Sequence, residues 1–316
     1  MTTPGVSSTR AFVDGVVAVI RAPFILIGVA AITLAIAAPF AAVIGSRVQE
    51  SLASQPPVAL DETEIDPEWW QEFRAQARGL EATFTPAIVG FAAPLDGISA
   101  VLDGRQPPLA VLGPLAISIL AWGFLWGGIL SRYHAGRAIG VREFTAGALR
   151  FMPRFVGIAL VAAVTIALLY VSLHALLFGP VHHWLVSRAG SERGAFLMRV
   201  VLYVVFLAPV VLVGLLADYA RVASVSHQPG TLIDSIGAAA AFLRSNARPA
   251  IALYLLTSTA FVIVTVAYGL LEIYGGSRVG GWPAIAIGQA YVLFRLALRL
   301  TVAASELRLF ASRTTP

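Results

Sequence analysis

The sequence predicts an all-α, polytopic helical membrane protein: six transmembrane helices arranged as three units, each an interfacial amphipathic helix followed by two spans. Three observations predict it. Of 316 residues, 58% are hydrophobic and 12% charged, about half the charged fraction of an ordinary soluble domain, and the mean hydropathy is +0.82. Six stretches reach the length of about 20 mostly apolar residues that a helix needs to cross a hydrocarbon core of about 30 Å. The arginines also alternate between loops. Sorted by side, one set of segments carries 14 Arg against 5 acids and the other 8 Arg against 12 acids.

The six spans are expected near Pro23–Ile44, Leu109–Leu130, Phe155–Phe178, Val200–Ala217, Ala250–Leu271 and Pro283–Val302. Stretches such as VLYVVFLAPVVLVGLLA are apolar on every side, which suits a helix in lipid; a membrane barrel would alternate apolar and polar positions. The arginine-rich set comprises the N-terminus, 132–154, 218–248 and the chain from Arg295. Arginines flanking spans resist translocation, so both termini are expected in the cytoplasm. Trp69, Trp70, Trp184 and Trp282 then fall at the outer headgroup level. The polar MTTPGVSSTR start lacks a cleavage signature, so the first span is expected to be a retained anchor.

An amphipathic stretch too polar to cross precedes each odd-numbered span, at about 10–21, 141–153 and 231–245. Helical spacing puts Phe12, Val16, Val19 and Ile20 on one face of the first. It does the same for Val141, Phe144, Ala148 and Phe151, and for Leu232, Ile236, Ala239 and Leu243. Thr231 and Asp234 stand as in a capping box and start the third helix. Phe12 and Gly15 align with Phe144 and Gly147, whereas the third stretch needs a shift of about one residue. The span ends GGILSRYHAGR and LLADYARVASV rhyme through a polar residue, a tyrosine and an arginine. Arg132, Arg137, Arg154, Asp218, Arg221, Arg244 and Arg248 are the expected inner-interface anchors, the arginines being favoured near helix C-termini.

Residues 47–108 form a 62-residue insertion between spans one and two with 10 acids and 4 arginines, too long for a turn. Asp66 is placed to cap a helix entered through Pro67, with Trp70, Phe73, Ala77, Leu80 and Phe84 along one face. The segment 86–104 is apolar but interrupted by Pro86, Gly90, Pro94 and Gly97, which fits an outer cap or a re-entrant pair of half helices.

Chemistry-bearing residues are few. All 22 basic residues are arginine and there is no cysteine, so disulfides, thiolate metal sites and cysteine nucleophiles are excluded. No HExxH, GxSxG or P-loop occurs, and no catalytic, cofactor-binding or metal residue is assigned; His174, His182 and His183 have the spacing of an interfacial patch rather than a metal site. GGSRVGG reads as a tight turn. Tyr291, Arg295, Arg299 and Glu306 make one stripe on the last span. An intramembrane arginine costs at least about 2.5 kcal/mol to insert, so this stripe is either the contact for an anionic lipid or solute or a structural group in which Arg299 reaches the inner surface and Arg295 pairs with Glu306 or Asp218. The hydroxyls of Thr257, Ser258, Thr259, Thr265 and Tyr268 make span five polar, chiefly as glue between helices.

The three-unit pattern, GGILSRY and DYARVASV at inner span ends, and EWWQEF with TFTPAIVGF outside are similar to uncharacterised six-span bacterial integral membrane proteins. More distantly, they resemble the membrane domain attached to some bacterial glycerophosphodiester phosphodiesterases. No catalytic phosphodiesterase barrel accompanies these motifs, so the resemblance implies a helical module that associates with lipid or other proteins rather than a hydrolase. The expected function is that of a non-enzymatic bacterial inner-membrane protein that binds or organises lipid or supports a transport assembly. The competing expectation is the permease subunit of an ATP-driven exporter, with 141–154 as its coupling helix and a separate ATPase as partner. Composition excludes a soluble enzyme and a nucleic-acid binder.

Overall fold

The computed structural model describes residues 6–53, 67–84, 92–105, 109–227, 230–275 and 282–314, and every regular element among them is helical. Six helical stretches are long and apolar enough to cross a membrane: Pro23–Ala53, Leu109–Ala135, Val141–Val186, Glu192–Ser226, Leu232–Tyr274 and Ile285–Thr314. Their outward faces are apolar. Leu160, Val164, Leu168 and Val171 follow one another along one such face, all exposed, which is stable only where the surrounding solvent is lipid. The chain is divided into two compact bodies, one of Met1–Arg21, Ile119–Leu256 and Leu300–Pro316, the other of Ala22–Ser118 and Thr257–Arg299.

The first body begins with α1 (Ser8–Ile20), N-capped by Ser7, whose hydroxyl accepts the Arg10 amide at 3.3 Å. It also holds α6 (Val141–Leu169), α8 (Glu192–Ser226), the end of α5 (Leu112–Ala135), the start of α9 (Leu232–Gly275) and the end of α10 (Trp282–Thr314). Of the three amphipathic stretches only α1 is a separate helix. Residues 141–153 run without a break into the span as α6, with Pro153 inside it, so proline there removes one hydrogen bond but does not end the helix. The third stretch is also continuous with its span, apart from a kink at Asn246 (φ −129°, ψ 31°) three residues before Pro249. There the Asn246 side-chain amide donates to the Phe242 carbonyl at 3.1 Å.

The start of α9 carries the expected capping box. The Thr231 amide donates to Asp234 Oδ2 at 3.0 Å, and the Asp234 amide donates to Thr231 Oγ1 at 3.1 Å. Thr231→Ala is expected to cost about 1 kcal/mol, measured as a lower thermal midpoint in detergent; an unchanged midpoint would show the cap to be idle.

Beyond Leu169 the helix widens into two π turns, Tyr170–His174 and Leu177–Val181, before α7 (His182–Val186). The extra residue in each turn re-aims the side chains that follow. His174 stacks on Phe178 at 4.5 Å and meets Phe206 edge-on at 4.9 Å, while Leu177, Leu202 and Phe206 are buried beneath.

In the second body α2 (Pro23–Ala53) is followed by α3 (Pro67–Gln76), a single 3-10 turn (Glu81–Thr83) and α4 (Ala92–Leu102). The expected helical face from Trp70 to Phe84 is not continuous. The helix stops at Gln76 and the chain reverses through Gly79, whose φ of +61° only glycine adopts without strain. Trp69 rather than Trp70 is the most buried aromatic, its indole N–H donating to Ser51 Oγ at 3.0 Å, with Phe73 stacked on it. Phe84 still returns to Trp70 and Phe73, and Arg47 bridges to Glu50 and Glu81. Asp66, most of GGSRVGG and residues 85–91 lie outside the described residues; the described part of 86–104 holds the helix α4.

Candidate functional site

The amphipathic segments of the first body dock on span ends through small residues. On α6, Gly147 lies so near α5 that a Cβ there would stand 2.5 Å from Ser131 Oγ. A Cβ on Gly127 of α5 would stand 2.8 Å from Ala148 Cα and from the Gly147 carbonyl oxygen, and one on Gly128 would enter the Phe144 ring. On α9, the Ser235 hydroxyl meets Ser224 of α8 at 3.0 Å. On α1, a Cβ on Gly15 would collide with Ser305 Oγ and the Thr301 carbonyl of α10. Each of these span serines also donates to the carbonyl four residues before it: Ser131 to Gly127, Ser224 to Ala220 and Ser305 to Thr301, all at 2.7 Å. Bonding back to the helix lets a hydroxyl sit in an apolar interface without leaving its donor unpaired.

Further contacts tie these segments together. Ser8 donates to the Pro249 carbonyl at 2.9 Å, and Arg313 reaches the Val6 carbonyl at 3.4 Å and Asn246 Oδ1 at 3.3 Å. Arg154 donates to the Gly230 carbonyl at 3.1 Å, where α9 begins. Beneath them Tyr219, Phe242 and Phe310 form a buried aromatic group.

Most of the expected apolar faces turn inward, with exceptions at Ile20 and Val141, and small residues share the contact. In α1 the buried line is Ala11, Gly15 and Val19, while Phe12 and Val16 are half-buried and Ile20 is 70% exposed. In α6 Ala148 and Phe151 are buried and Phe144 half-buried, but Val141 is 84% exposed. In α9 the expected face is inward, with Leu232 and Ile236 half-buried and Ala239 and Leu243 buried; Ser235 and Phe242 are buried beside it and Ile233 is exposed.

The stripe expected on the last span is carried by α10. Tyr291 is buried, stacked on Tyr268 at 4.3 Å and hydrogen-bonded to Thr265 at 3.1 Å, so a span-five hydroxyl does join two helices. Arg295 is exposed, its guanidinium over the rings of Phe261 (5.8 Å) and Tyr291 (5.6 Å); Arg299 is exposed as well. Glu306 belongs to the first body, where it is 6% exposed and its charged neighbours are Asp218 and Arg221. Arg221 is ion-paired to Asp218 one helical turn away.

Of the remaining anchors, Arg137 pairs with Glu143 at 2.8 Å, Arg132 is half-buried, and Arg244 and Arg248 are exposed. Among the described residues no three His, Asp or Glu side chains converge as metal ligands would. Sequence reasoning missed the docking residues Gly127, Ser131, Gly147, Ser224, Ser235 and Ser305; Gly127, Ala220 and Thr301 stand four positions before three of these serines, but Ala42 stands so before Ser46 as well, and the spacing alone does not single them out. Comparison with models of known protein families, with curated proteins and with solved structures finds no match.

Proposed function

We propose that the chain is a non-enzymatic integral protein of a bacterial cytoplasmic membrane, with both termini in the cytoplasm, that binds and organises lipid at the inner leaflet. The observation that carries this reading is the two-faced build of the amphipathic segments. Each is held to a span by small residues and leaves large apolar side chains open: Val13, Val17 and Ile20 on α1, Val141 and Leu149 on α6, and Ile233 on α9. Apolar side chains next to clustered arginines are what acyl chains and anionic headgroups meet at an interface. Arg295 and Arg299, exposed on α10, offer further cationic contacts.

The same docks support a threefold internal repeat. Gly15, Gly147 and Ser235 occupy matching places against Ser305, Ser131 and Ser224. In this register Phe12, Phe144 and Leu232 also align, and the third unit needs no shift.

Native mass spectrometry of the full chain, extracted gently from its own membrane, tests the function. Retained anionic phospholipid without a second polypeptide is the expected result. A stoichiometric ATPase would overturn it in favour of the exporter permease, and a chain that emerges free of lipid would also overturn it.

A further inference from the structure

A pocket of about 430 Å³ lies between α1, the last turn of α5 and the end of α10, within the range of about 300–1,000 Å³ typical of small-molecule sites. Three guanidinium groups line it, those of Arg21, Arg132 and Arg308, with a single carboxylate, Asp14. Among the described residues none of these four side chains makes an ion pair or a hydrogen bond, whereas Arg137 and Arg221 in the same body each have a carboxylate.

Arg21 and Arg132 stand at the C-terminal ends of α1 and α5, where guanidinium groups commonly bond the last carbonyls. They make no such bond, which leaves their donors for something else. Tyr133 also lines the pocket; it is 8% exposed, and its hydroxyl is buried without a hydrogen-bond partner, an omission native interiors rarely tolerate. Three like charges around one cavity repel each other, and a shared anion removes that repulsion.

We infer that this pocket binds a phosphoryl group, with Arg21, Arg132 and Arg308 on its oxygens and Asp14 on a hydroxyl or ammonium group of the same ligand. The planar, multi-donor guanidinium matches phosphate better than any other side chain does. Val17 lines the pocket, and Val13 and Ile20 are exposed on the same helix, so apolar surface for an acyl chain adjoins the charge. The phosphoryl group can belong to a phospholipid or to a soluble phosphate ester. This inference rests on the lipid-binding reading only for the choice between them.

The test titrates the full chain in neutral detergent with dioleoylphosphatidylglycerol, with glycerol 3-phosphate as competitor, followed by native mass spectrometry. The variants are Arg132→Gln with Arg308→Gln, and Arg308→Gln alone, which alters an exposed position that folding tolerates. The wild type is expected to take up one tight phosphatidylglycerol, the double variant to bind it about tenfold more weakly, and the single variant about threefold more weakly. Displacement by glycerol 3-phosphate supports the pocket and identifies a soluble ester; resistance to it supports the pocket and identifies the lipid. Equal binding by wild type and both variants overturns the pocket while the lipid reading stands. A wild type that binds neither compound overturns both.

Discussion

Replacing Gly127 by valine is expected to force α5 away from α6 and to cost about 3 kcal/mol or more, the upper end of overpacking effects. The first added carbon would already stand 2.8 Å from Ala148 Cα and from the Gly147 carbonyl oxygen. Both are backbone atoms, so no side-chain rotation relieves the clash. Gly128 is the internal comparison, because the atoms nearest its added carbon belong to the Phe144 ring, which turns on its χ angles. Gly128→Ala should therefore be the milder change. The measurement is the unfolding midpoint of each variant in mild detergent. A Gly127→Val midpoint within about 2 °C of wild type would show that close approach of these two backbones does not hold the body together.

The second effect is expected at the charged groups beside the buried Glu306. Arg221→Met removes the cation beside Asp218 and leaves two carboxylates, those of Asp218 and Glu306, with no guanidinium between them. Breaking such a group from one side is more harmful than removing it whole, but the Asp218 side chain is 39% exposed, so solvent screening reduces the expected loss to about 1–2 kcal/mol. Glu306→Gln in the Arg221→Met background should recover part of that loss, because a buried amide needs no neighbouring cation. A double-mutant cycle in which the two effects simply add would show that Glu306 and Arg221 are energetically independent.

Much of this architecture is legible in the sequence, and the parts that are not share a physical cause. The six long helices are visible because transfer to lipid selects for apolar length, and the Thr231–Asp234 cap because it is a local exchange of hydrogen bonds. Hydrophobic periodicity misplaces the buried face of α1 because it weights residues by apolar size. Ala11 and Gly15 have almost none, yet they are buried because backbone approach, not side-chain volume, fills that contact. Ser131, Ser224 and Ser305 escape notice for the same reason, since a serine bonded back to its own helix carries neither apolar size nor charge.

Trp69 is misjudged for a different reason. The expected face assumes a helix reaching Phe84, and Gly79 reverses the chain first. Of the stripe Tyr291, Arg295, Arg299 and Glu306, the helix that carries it and the Tyr291 ring beside Arg295 are legible, but the Phe261 ring and the carboxylate beside Glu306 come from distant segments that no local pattern contains.

The docking of α1 on α10 also bears on how the protein is made. Proteins are synthesised from the N-terminus, so α1 leaves the ribosome well before Thr301 and Ser305, against which it docks. Until α10 is made, the Ala11–Gly15 face lacks that contact. The helices α5 and α6, joined by a short turn through Gly136, can pair as soon as both are out. The docking of an early helix thus waits for a late one, and a nascent chain stalled before α10 would carry α1 undocked.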